Sequence, residues 1–154
     1  MKHAKPVICA LLISTLSVPA FAAKPSSWGD SGEMSKVSRK LDDQQYESAI
    51  LDLQAMVAKD ADNADAYTLL GFSHRKIKQY EAAEKYYLRA LTLNPKHKGA
   101  MEYLGELYVE TDRMDNANDM LVRLDEACFF GCKEYTKLKT FIENKKEGLD
   151  VSAK

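Results

Sequence analysis

Leu138, Phe141 and Ile142 fall on one face of a helix, with charged and polar residues between them. The same spacing links Tyr46, Ala49, Leu53 and Met56, and again Tyr80, Ala83, Tyr87 and Ala90. Read along the chain, this patterning predicts seven helices near 30–41, 44–59, 64–77, 80–93, 98–110, 114–126 and 133–146. Polar junctions separate them. Asp42-Asp43-Gln44-Gln45 reads as an exposed joint, and Pro95 after Asn94 closes the fourth helix because proline cannot continue one. The fold class predicted is all-α.

The pattern repeats at an offset of 34 positions. Tyr67 pairs with Met101, Leu70 with Leu104, Gly71 with Gly105, Ala83 with Ala117 and Tyr87 with Leu121. Run backwards, the offset places Tyr46, Ala49, Leu53 and Met56 under Tyr80, Ala83, Tyr87 and Ala90. Glycine inside a helix costs about 1 kcal/mol against alanine, so Gly71 and Gly105 call for a packing reason, namely close approach of two helices.

Tyr67-x2-Leu70-Gly71-x2-His74, then Ala83-x3-Tyr87 and Pro95, resembles the tetratricopeptide repeat pattern W-x2-L-G-x2-Y…A-x3-F…P. Tyr stands for Trp, His for the first-helix Tyr, and Tyr for Phe. The resemblance covers roughly 30–131, is strongest in the middle copy, and implies an α-solenoid of about three helix-turn-helix repeats. These fall near 30–63, 64–97 and 98–131, with a capping helix at 133–146 and a loose tail at 148–154. Tyr67, His74, Tyr80, Tyr86 and Tyr87 then read as packing residues.

The first 22 residues read as a signal peptide. Lys2 and Lys5 form a basic start, Val7 to Val18 an apolar run too short to span a bilayer, and Ala20-Phe21-Ala22 a small-x-small cleavage site. Cleavage is expected before Ala23, leaving a loose segment at 23–29 and a periplasmic domain. It removes two lysines and no acid, so the mature chain is mildly more acidic than the full-length net charge of -1. That balance gives no basic patch for nucleic acid, and no second apolar stretch suits a membrane.

Cys128 and Cys132 are the cysteines left after such processing, bracketing Phe129-Phe130-Gly131. In an oxidising compartment the pair is expected to form a disulfide that sets the angle of the last helix. Thioredoxin chemistry asks for C-x-x-C and haem attachment for C-x-x-C-H, and neither is present. A metal or redox accessory role for Cys128 and Cys132, with Met114 and Met120 as soft ligands for copper(I), is the rival reading. No nucleophile–histidine set, G-x-S-x-G, H-E-x-x-H or phosphate loop is present, so neither catalysis nor a cofactor is expected.

The family's first helices line a concave groove, and the resemblance places Thr68, Phe72, Lys76, Glu102, Glu106 and Glu110 on it, with Arg75 alongside. The front copy offers Met34, Ser38 and Leu41. Some relatives clamp a terminal carboxylate there with Lys, Arg and Asn; the glutamate row argues against that here. Like charges at i,i+4 are mildly unfavourable, so the row is expected to be relieved by a basic or amide-rich partner segment. The function predicted is a monomeric protein-interaction scaffold. Help in assembling exported cytochromes or surface structures is the alternative the family offers.

Overall fold

A computed structural model describes residues 31–129 and 131–149. The predicted leader at 1–22, the segment at 23–29 and most of the tail lie outside the described residues. Among the described residues there are seven helices and no strand: α1 (Ser31–Asp42), α2 (Tyr46–Lys59), α3 (Ala64–Lys76), α4 (Tyr80–Leu93), α5 (Lys98–Glu110), α6 (Met114–Ala127) and α7 (Lys133–Lys146). Each helix packs on the next, and α5 also meets α3 and α7. That is the all-α, tetratricopeptide-type array.

The 34-residue offset is visible in the backbone itself. Gln44, Lys78 and Asp112 all take left-handed conformations, with φ of 57°, 61° and 57°. Each follows the inner helix of its hairpin, and the next residue donates back across the turn: Gln45 to the Lys40 carbonyl, Gln79 to His74 and Arg113 to Tyr108, at 2.8, 2.9 and 2.7 Å. This is a Schellman closure, which satisfies the last helical carbonyls. Asn63 and His97, again one period apart, start α3 and α5. The Asn63 side chain accepts from the Ala66 amide at 2.9 Å, and His97 Nδ1 accepts from the Ala100 amide at 3.1 Å. The imidazole proton therefore sits on Nε2, which donates to Asp65 Oδ1 at 2.8 Å.

The glycines have the packing reason their sequence asked for. A Cβ on Gly71 would stand 2.5 Å from the ring of fully buried Tyr87, and one on Gly105 would strike the methyls of Leu138. One apolar cluster joins α1, α2 and α3 through Val37, Leu53, Met56 and Leu70; the other runs from α4 to α7 through Tyr87, Leu104, Leu124 and Leu138. Leu138, Phe141 and Ile142 bury the inner face of α7. Cys128 and Cys132, which flank the turn into α7, are joined as a disulfide with Cα atoms 5.6 Å apart. No helix of the described residues is long and apolar enough to cross a membrane.

Candidate functional site

Short closures between hairpins keep α1, α3, α5 and α7 on one side of the array. Between them lies a cavity of about 990 Å³. Phe72, Arg75 and Lys76 reach it from α3, and Glu102, Tyr103 and Glu106 from α5. Leu41 and Asp42 close one end from α1, with Tyr46 from the start of α2. The opposite wall is α7, through Lys133, Thr136, Lys137, Thr140, Phe141 and Asn144.

Aromatic rings build the wall that α3 and α5 share. Phe72 lies edge-on to Tyr46, with centroids 6.2 Å apart, and tilts against Tyr103 at 5.2 Å. The Arg75 guanidinium stands 5.8 Å from both the Phe72 and Tyr103 centroids, a distance at which a cation is attracted to a ring face.

Arg75 also answers the glutamate row. It is 3% exposed. Its Nη2 donates to Glu106 Oε2 at 2.6 Å, and its Nη1 to Glu110 Oε1 at 2.8 Å. A buried guanidinium is retained only when paired, and two carboxylates from the next repeat supply the pairing. Lys137 Nζ on α7 stands 3.3 Å from Glu102 Oε1. The row is thus met in part within the chain. Two cations of this chain reach it first, because solenoid stacking places α3 and α7 on either side of α5.

Five of the seven predicted groove residues line the cavity: Phe72, Arg75, Lys76, Glu102 and Glu106. Thr68 does not. It is buried, donates to the Ala64 carbonyl at 2.8 Å and faces His97 at 3.5 Å, filling the seam between α3 and α5. Glu110 does not line the cavity either, and pairs with Arg75. Of the front copy, Leu41 lines the cavity, Met34 packs on the first core cluster, and exposed Ser38 bonds its own helix at the Met34 carbonyl. Sequence reasoning missed Tyr103, Tyr46 and the whole α7 wall. Their signal was the last helix itself, which a solenoid stacks beside the preceding inner helix.

Glu102 differs from its neighbours. It is 3% exposed, and its Oε1 accepts no hydrogen bond: Lys137 is near, but not aligned as a donor. Burial, reinforced by the Glu106 charge and opposed by Lys137, pushes its carboxyl up to about 7. Burial raises Glu110 as well, against the pull of Arg75. Met120 is buried in the core with Arg123 Nη1 3.8 Å from its sulfur, and Met114 packs on the same cluster. His74 Nδ1 lies 2.7 Å from Gln79 Oε1. Each of these side chains already has a structural use.

The tetratricopeptide repeat family model matches residues 64–97, the copy whose Tyr67, Leu70, Gly71, Ala83 and Tyr87 pack as described. Anaphase-promoting complex subunit 3 of Schizosaccharomyces pombe is 29% identical over 91 residues, which is 51% of this chain but only 14% of that subunit. Among solved structures, a MamA RS-1 ArsTM double mutant is 27% identical with a TM-score of 0.58, covering 62% of this chain and 53% of its own. The first TPR of Spaghetti (RPAP3), bound to the HSP90 peptide SRMEEVD, gives 0.64 at 16% identity, over 75% of this chain and 91% of that one. The Yersinia enterocolitica type III secretion translocator chaperone SycD gives 0.65 at 19% identity, over 76% and 88%. The last two likenesses speak for the fold. With the 34-residue period, the glycine contacts and the repeated left-handed closures, the match identifies residues 64–97 as a tetratricopeptide repeat within a fold of the tetratricopeptide type.

Proposed function

We propose that this chain is an exported, non-catalytic scaffold that holds a segment of a protein partner in the groove between α1, α3, α5 and α7. The tetratricopeptide fold holds protein or peptide partners, and the observation that carries the reading here is the groove itself. Its volume of about 990 Å³ is large enough for several side chains. Aromatic walls next to a few fixed polar groups are what a recognition surface needs, since rings bury much area at little entropic cost.

The compartment is the periplasm, on the strength of the leader pattern ending at Ala22. The Cys128–Cys132 bridge fits that reading, because disulfides persist in oxidising compartments. A role in assembling other exported proteins is the same activity with a particular partner.

The test is photo-crosslinking in cells. A photoreactive phenylalanine analogue at Phe72, which lines the groove, is compared with one at exposed Leu88 on α4. A discrete adduct from the Phe72 position, formed on protein recovered from the periplasm and starting at Ala23, supports the reading. Adducts from Leu88 alone refute the groove, and an intact leader on the cytosolic protein refutes the export.

A further inference from the structure

We propose that Glu102 and the aromatic wall beside it form a socket for one cationic side chain, a lysine or arginine of the partner, and that Lys137 of α7 occupies the socket until the partner arrives. The proposal rests on the groove reading above and names what the groove selects.

Three observations carry it. First, the cation that faces Glu102 comes from α7 alone. Arg75 pairs with Glu106 and Glu110, Lys76 adds its charge to Glu110, and Lys137 stands beside Glu102. Both Nη atoms of Arg75 are taken by Glu110 and Glu106, so neither serves Glu102. Second, Glu102 is buried, borders the groove, and keeps one carboxylate oxygen without a hydrogen bond. Such an oxygen forfeits a bond it had in water, and a donor delivered by a ligand restores it. Third, the adjacent wall suits a cation, since Phe72 and Tyr103 already flank one guanidinium.

Lys137 fits the part of a stand-in. Its side chain is 58% exposed, and its contact with Glu102 lacks the direction of a hydrogen bond. Its departure leaves Glu102 unpaired until a partner's cation takes its place, while Leu138, Phe141 and Ile142 keep α7 in position. The remaining charges do not complete the socket. Lys133 stands 3.9 Å from its neighbour Glu134, Lys76 Nζ lies 6.0 Å over the Phe72 ring, and Asp42 sits at the α1 end. With Lys76, Lys133 and Lys137 around the cavity, a basic run would be repelled. One cation next to an apolar residue is the segment that fits.

The experiment uses the mature chain and three short synthetic peptides that differ at one position. Each carries a phenylalanine, and the variable residue is lysine, norleucine or glutamate. Binding is followed by NMR, so the site is mapped as the affinity is measured. The lysine peptide is expected to shift α3, α5 and α7 resonances and to bind about fivefold more tightly than the norleucine one. That preference should vanish in Glu102→Gln, which keeps the side chain's shape, and grow in Lys137→Met, which removes the stand-in. Raising the pH from about 6 to about 8 should strengthen it, as Glu102 becomes fully ionised. Equal binding of the lysine and norleucine peptides in the groove overturns the socket and leaves the groove reading standing. So does a preference that survives Glu102→Gln, or one for the glutamate peptide. Shifts confined to α2, α4 and α6, or no binding by any peptide, overturn both.

Discussion

At the residue scale, Glu102 shows how a repeat turns position into energy. It occupies the same place in its copy as Thr68, and both are buried at 3% exposure. A threonine satisfies itself there by bonding back to its own helix, which a carboxylate cannot do. Raised from its ordinary 4.5 to about 7, Glu102 binds a proton more tightly folded than unfolded. Its contribution is therefore lost as pH rises through the window from 4.5 to about 7, and is intact below it. Glu102→Gln should be more stable than the parent above about pH 7, by roughly 1–3 kcal/mol, with the difference shrinking towards about pH 5. Urea midpoints across that range check it; an unchanging difference would mean that burial is not the cause. Gly71 and Gly105 give a second test at this scale. Alanine gains about 1 kcal/mol of helix propensity at either site, but overpacking a core typically costs 1–3 kcal/mol. Tyr87 presents a rigid ring with no room to turn, whereas Leu138 presents two methyls that can rotate. Gly71→Ala should therefore destabilise clearly and Gly105→Ala less, in thermal melts of the two variants.

At the scale of the element, the helices were legible because apolar spacing sets them. The spans 80–93, 98–110 and 133–146 read from the sequence coincide with α4, α5 and α7, and the others differ by one or two residues at an end. What the spacing hid is the chemistry of the ends. Left-handed closures usually fall on glycine, and here they fall on Gln44, Lys78 and Asp112, so no composition signal marks them. The burial of Arg75, a residue the resemblance places alongside the groove, was hidden for a related reason. As a charged residue it reads as surface, yet one period on the same position is Val109, fully buried, and one period back it is Leu41. Comparing copies position by position exposes such a residue; reading one helix alone does not. Lys78 is exposed, and its side chain is not needed for the backbone bonds that close α3. Since the left-handed region costs an L-residue roughly 1–2 kcal/mol and glycine gives back part of that as entropy, Lys78→Gly should stabilise by about 0.5–1 kcal/mol. Asp112→Gly should gain less, because it also removes the contact of Asp112 with Lys145 at 2.8 Å. A chemical denaturation series on both variants decides, and a loss of stability in Lys78→Gly would show that its turn is not strained.

At the scale of the whole molecule, stability in a stacked array is set by neighbours, and a terminal helix has only one side to lean on. α5 is the opposite case: it packs against α3, α4, α6 and α7 and buries eight residues, from Ala100 to Val109. Protection from hydrogen exchange should accordingly peak in α5 and fall towards both ends. The Cys128–Cys132 bridge changes that gradient at one end only. It closes a loop of only a few residues at the entry to α7, so it constrains the opened chain locally there, and is worth about 2 kcal/mol on the chain-entropy estimate. Reduction, or replacing both cysteines with serine, should therefore raise the opening of α7 by about thirtyfold while α1 to α3 exchange as before. The groove would lose definition with it, since α7 supplies Thr136, Lys137, Thr140 and Phe141 to its far wall. Native-state exchange followed by mass spectrometry, with and without reductant, reads both ends of the array at once. If protection falls equally in every helix, the bridge acts on the chain as a whole and not as a brace for the wall of the groove.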